Sequence, residues 1–156
     1  MSYTQFICES TCEKIRNICP EELHKRIAET VYESDCEIYL KFYEDEKAES
    51  SSVMQVFNTD EIPRREISLA FFDETEWRRN SSAGIESMVK LSLLEESELS
   101  ETAETPLLMQ ISKGLFLPKE LAYEVIKEFL ETGKASEKIS WITPDELPEG
   151  GNYIFL

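Results

Sequence analysis

The chain has 156 residues, 41% of them hydrophobic and 31% charged, which suits one folded domain with its own core and excludes a disordered chain. With 32 acidic residues against 16 basic ones, the net charge is −16. Such a surface repels nucleic-acid phosphates and anionic membranes and favours basic partners, although the same charge also serves solubility.

No apolar run approaches the roughly 20 residues needed to span a bilayer. The N-terminal MSYTQFICESTCEK lacks the basic start and long apolar core of a signal peptide. The expectation is a single cytoplasmic domain over residues 1–156, with no membrane and no nucleic acid among its partners.

Tyr3 to Ile7 reads as a short strand. Ser10 or Thr11 can then cap a first helical segment that uses Ile15, Ile18 and Cys19. Pro20 interrupts it and starts a better helix, EELHKRIAETVYES. Glu21 and Glu22 lie in its first turn, where negative charge is favoured, and Leu23, Ile27 and Val31 form its apolar face. His24 borders that face and, as the sole histidine, reads as a structural or surface residue.

Cys8, Cys12, Cys19 and Cys36 all fall in the first quarter. Cys8, Cys12, Cys19 and His24 form a C-x3-C-x6-C-x4-H series, which lacks the close CxxC pairs of zinc sites. Core or half-buried thiols are expected, with neither a metal nor a disulfide.

At Cys36 the period changes to two. Cys36, Ile38, Leu40 and Phe42 point one way and Glu37, Tyr39, Lys41 and Tyr43 the other, as in a half-buried strand. EDEKAESSS follows as an exposed loop, then VMQVF (Val53–Phe57) and EISLAFF (Glu66–Phe72) as further strands. Ile85–Leu94 and Pro106–Ile111 favour strand, although Ile85, Met88 and Leu91 also fit a helix, and Lys113-Gly114 marks a tight turn before Leu115–Leu117.

Pro118 then opens a helix with an apolar stripe of Leu121, Ala122, Val125, Ile126, Phe129 and Leu130. Gly133 stands where a left-handed C-terminal cap belongs, and Ile139, Trp141 and Ile142 form a last short strand before Pro144. The apolar ending Tyr153–Leu156 reads as packed on the body or as an edge strand. The predicted fold class is α+β: a mostly antiparallel sheet with an N-terminal helix and a long C-terminal helix packed on it.

Catalytic signatures are missing. Five glycines form no GxGxxG and no phosphate loop, no serine sits in a G-x-S-x-G elbow, and no cysteine has a histidine partner in sequence. The bases are scattered, with no aromatic-plus-basic platform for nucleic acid. Two acidic stretches remain as partner-binding candidates. One is DETEW, with Asp73, Glu74 and Glu76 beside the indole of Trp77; the other is EESELSETAE, with Glu95, Glu96, Glu98, Glu101 and Glu104 and no base. Carboxylates steer approach to a basic groove and an aromatic residue anchors it. Equally, both can be solvated loops, with Trp77 in the core.

LPKELAYEVIKEFLETGKASEKISW, residues 117–141, resembles the C-terminal signature of the deaminase-associated immunity proteins of bacterial polymorphic toxin and contact-dependent inhibition systems. The features that carry the likeness are Pro118, Glu128-Phe129-Leu130, Thr132-Gly133 and Trp141. Ala135-Ser136 replaces a proline common in that family after the TG, and ETEWRRNSSAG replaces a glycine-rich acidic mid-chain segment. The resemblance implies a small cytoplasmic, non-catalytic, cofactor-free protein. Such a protein binds a cognate toxin domain one to one and occludes its basic active-site surface, with the matched helix and tryptophan as framework. A small acidic secretion chaperone, holding an effector segment, is the alternative.

Overall fold

The computed structural model describes residues 1–8, 12–29, 37–74, 88–105 and 109–153. Strand β4 (Ser52–Asn58) is buried at every position after its first, because the sheet it helps to centre is covered on both faces. The strands before it are β1 (Tyr3–Cys8), β2 (Glu13–Arg16) and β3 (Ile38–Tyr43), with helix α1 (Pro20–Glu29) between β2 and β3. After it come β5 (Ile67–Asp73), β6 (Lys90–Leu93), β7 (Thr102–Glu104), β8 (Gln110–Ser112), β9 (Phe116–Leu117), helix α2 (Lys119–Thr132) and β10 (Ser140–Ile142).

The main sheet runs β10-β6-β5-β4-β3-β1-β2, with β9 also paired to β5; β7 and β8 form a separate hairpin. All these pairings are antiparallel. The α+β class with a mostly antiparallel sheet is what forms, with two α-helices among the described residues, of which α2 has 14 residues.

The strand period sorts the core into two clusters. Phe6, Ile38, Leu40, Met54, Val56, Ile67 and Leu69 face the helices, where Leu23 and Ile27 of α1 and Ala122, Val125, Ile126 and Phe129 of α2 meet them. Val53, Phe57, Ala70, Phe72 and Leu91 face the other way, under Ala103, Ile111, Leu115 and the ring of Tyr153. Phe129 is fully buried and meets Phe71 edge to face at 6.0 Å between centroids. Burial of an aromatic ring this size contributes about 2–3 kcal/mol.

The caps explain where α2 begins and ends. Pro118 stands at the N-cap rather than in the first turn and offers no side-chain acceptor. The carboxylate of Glu66 takes the Lys119 N–H instead, at 3.2 Å. Gly133, at φ 71°, closes the helix in the left-handed region and donates to the Phe129 carbonyl at 2.7 Å. A side chain there is blocked twice, because a Cβ would lie 2.3 Å from the Phe42 ring. Trp141 Nε1–H donates to the Ser136 carbonyl at 2.7 Å, which fixes the turn into β10.

One edge of β5 is shared. Its Ile67–Ser68 half pairs with β9 and its Ala70–Phe71 part with β6, so the ladder is interrupted at Leu69. Ser92 fills the interruption: its Oγ accepts the Leu69 N–H at 2.9 Å and donates to the Leu115 carbonyl at 2.8 Å.

The region after residue 9 corrects the expected first helix. Residues 13–16 pair with β1 as a hairpin, and Cys12 and Asn17 flank them at φ 57° and 52°. Asn17 Oδ1 accepts the Thr4 N–H at 2.9 Å and the Asn17 N–H donates to the Thr4 carbonyl at 3.0 Å, so pairing with β1 holds this end of β2 extended. Cys8 is buried, as expected, whereas Cys12 and Cys19 are exposed; Cys36 lies outside the described residues. Of the strands expected at Ile85–Leu94 and Pro106–Ile111, the described residues hold Lys90–Leu93 and Gln110–Ser112, and residues 85–87 and 106–108 lie outside them.

Candidate functional site

Asp73 and Glu74, the described acids of DETEW, and the 95–104 segment fall at opposite ends of β5. Asp73 closes the strand, whereas Ile67 opens it beside the turn 59–66 that meets the 95–104 segment. At ~3.3 Å per residue, the two ends of this seven-residue strand lie about 20 Å apart. They therefore form two patches rather than one.

Of DETEW, Asp73 and Glu74 are described, and Glu76 and Trp77 lie outside the described residues. Glu74 is turned inward. Its Oε2 accepts from Ser51 Oγ at 2.7 Å, and its Oε1 pairs with Lys41 Nζ at 3.5 Å. That carboxylate holds the β4 and β5 ends together and is a poor candidate for partner contact.

The 95–104 segment is an acidic ledge on a tightly held backbone. Glu96–Glu98 form one 3-10 turn, and Thr102–Glu104 continue as β7. The Gly114 carbonyl accepts the N–H groups of Leu94 and Glu95 at 2.8 and 3.2 Å. The Leu99 carbonyl accepts from Ser112 Oγ at 2.7 Å, and the Glu101 carbonyl accepts the Lys113 N–H at 2.7 Å. Leu99 is buried beneath, and Gly114 has no room for a Cβ, which would meet the Glu95 carbonyl oxygen at 2.1 Å.

On this frame Glu95, Glu96 and Glu101 are exposed, and Glu98 and Glu104 are half-buried. Glu98 is not uncompensated, because Arg65, distant in sequence, forms an ion pair with it. Glu104 Oε2 accepts from Gln110 Nε2 at 3.0 Å, and its backbone is stitched to the neighbouring turn through Thr59 Oγ1 and the Glu61 carboxylate. That turn adds the exposed Asp60 and Glu61 to the patch. Residues 59–66 and 95–104 together hold eight acids and two bases, Arg64 and Arg65, so the patch stays strongly negative after the Arg65 pairing. Sequence reading missed Asp60, Glu61 and Arg65; only the fold brings them beside Glu104 and Glu98.

A concavity of about 240 Å³ lies between α1, α2 and the start of β1. His24 stacks on Tyr123 there, with centroids 3.8 Å apart and planes within 13°, which agrees with the structural role read from the sequence. Burial, reinforced by Glu66 and Glu120, pushes the Tyr123 hydroxyl pKa up. At the base of α1, Arg26 bridges Glu22 and Glu13, and its hydrogen bond holds the Glu22 carboxyl below the usual range.

Among the described residues, no three or more His, Cys, Asp or Glu side chains converge as a metal site, and no helix is long and apolar enough to cross a membrane. In comparisons with known proteins, no family model, curated protein or solved structure matches the chain.

Proposed function

We propose that the chain is an immunity protein that binds a cognate secreted toxin domain one to one and neutralises it by covering the toxin's basic, nucleic-acid-handling surface. The observation that carries this reading is the acidic ledge at 95–104, whose main chain is pinned while Glu95, Glu96 and Glu101 remain exposed. Carboxylates on a rigid frame can stand in for the phosphates of a nucleic acid without losing side-chain and loop freedom at every contact. The net charge of −16 speeds approach to a basic groove. The 117–141 likeness supports the same class, with α2, Gly133 and Trp141 as framework. No catalytic residue and no cofactor belong to this reading.

Copurification with the product of the adjacent upstream gene, together with protection of cells expressing it, tests the proposal. Glu95→Lys, Glu96→Lys and Glu101→Lys combined should slow association about tenfold or more at low salt and flatten its salt dependence, with an unchanged Tm. Glu98 is excluded from this set because reversing it breaks the Arg65 pair. Neither binding nor protection, or association that ignores the triple reversal, refutes the ledge as the docking face. Sizing the complex separates the secretion-chaperone alternative, which predicts a dimer holding an unfolded effector segment.

A further inference from the structure

Residues 150–153 touch both β8 and the ledge. The Asn152 carbonyl accepts the Ser112 N–H at 2.8 Å, and the Asn152 N–H donates to Ser112 Oγ at 2.9 Å. Asn152 Nδ2 adds a bond to the Gln110 carbonyl at 2.7 Å. The same Ser112 Oγ donates to the Leu99 carbonyl, so one hydroxyl of a fully buried residue joins this segment to the ledge. Giving its proton to Leu99 while taking one from Asn152 lets each bond polarise the other. Backbone also meets backbone directly. A Cβ on Gly151 would stand 2.6 Å from the Leu99 carbonyl oxygen, and one on Gly150, at φ 87°, 2.9 Å from that of Ser100. Glycine alone permits an approach this close. The Tyr153 ring then anchors the segment, meeting Phe57 edge to face at 5.8 Å.

The ledge is thus held at its two ends by different groups. Leu94 and Glu95 hang on the Gly114 carbonyl, whereas residues 99–101 rest on Ser112, on the Lys113 N–H and against Gly150 and Gly151. Residues 148–150 are exposed, and the Tyr153 ring is the one side chain that residues 148–153 pack into the core. A segment with so little apolar burial opens before the sheet does. We propose that residues 150–153 act as a strap whose docking and the ordering of residues 99–101 are one equilibrium. The strap thereby sets where the Glu101 carboxylate stands for a partner. Gly150, Gly151 and Asn152 are positioning residues that act through the ledge backbone. As far as the partner is concerned, the inference rests on the ledge being the toxin's docking face.

Hydrogen exchange on the full chain carrying Gly151→Ala tests the coupling without any partner. The added methyl has no room against the Leu99 carbonyl, so the strap should open. The Ser112 and Lys113 amides should then exchange about tenfold or more faster, and together, while Met54 and Val56 in β4 keep their parent rates. Lys113 is the decisive reporter, because its N–H bonds to the ledge at Glu101 and not to the strap. Should Gly151→Ala fail to fold, Asn152→Ala removes only the Gln110 bond and should still speed both amides about threefold or more. Acceleration at Ser112 alone means a strap that opens without the ledge, and acceleration that includes β4 equally means general destabilisation. Either overturns the proposal, as do parent rates at both amides.

In the toxin complex, the bound partner should slow exchange at Ser112 as well as at Lys113, since coupling between ledge and strap is reciprocal. Gly151→Ala should weaken the complex about tenfold, although every ledge carboxylate is retained. Parent affinity in that variant overturns the strap as a determinant of docking and leaves the toxin reading intact. Joint acceleration of the two amides with no toxin complex refutes the toxin reading and leaves the coupling standing.

Discussion

Replacing Ser92 with alanine deletes one oxygen from a residue with 0% exposure. That oxygen serves the Leu69 N–H at 2.9 Å and the Leu115 carbonyl at 2.8 Å, both at the point where β5 passes from one partner strand to another. Each buried group left without a partner costs about 1–3 kcal/mol, so the variant should lose roughly 2–5 kcal/mol, allowing for partial re-pairing. Volume contributes little, since serine and alanine differ by one small atom.

Urea unfolding measures the loss, provided the slope with denaturant stays constant. Hydrogen exchange locates it, with the Leu69 amide expected to lose protection before the centre of β4 does. A stability change under about 0.5 kcal/mol, the range of an ordinary surface substitution, would refute the bridging role of Ser92. So would a Leu69 amide as protected as in the parent.

Gly133→Ala should cost roughly 2–4 kcal/mol, combining left-handed strain with overpacking against Phe42. Thermal unfolding reads this, and a loss below about 1 kcal/mol means that the Phe42 ring yields and the cap is not sterically locked. The Tyr153 hydroxyl has a pKa well above 10, chiefly from burial and secondarily from Tyr39. Because the folded state holds that proton more tightly, this contribution is complete below about pH 10 and is lost as pH rises toward the folded pKa. Tyr153→Phe should therefore move alkaline unfolding to higher pH, followed by circular dichroism, and an unchanged alkaline midpoint contradicts the burial of that hydroxyl.

Long, clean periods were legible from residue order. The stripe of α2, its glycine cap, and the alternation of β3 and β5 each repeat often enough to decide between helix and strand. Residues 13–16 do not. Ile15, Ile18 and Cys19 satisfy a helical spacing as well as a strand does, and only pairing with β1 and the Asn17 side chain resolve the choice. Cys12 and Cys19, expected to be at least half-buried, stand exposed on either side of β2. The acidity of 95–104 was plain in sequence. Its compensation by Arg65, and its enlargement by Asp60 and Glu61, depend on contacts between residues distant in the chain. Glu74 illustrates the converse: an acid chosen for its company in sequence that the fold uses as a brace.

The ledge is held chiefly through main-chain carbonyls and amides, with Ser112 and Gly114 supplying the contacts from beneath. Its exposed side chains therefore have few structural duties, and Glu95, Glu96 and Glu101 can be exchanged with little disturbance to the frame. A surface built this way can be rewritten to suit a new partner one residue at a time. Under the toxin-binding proposal, one scaffold serves against different toxins by changing these positions alone.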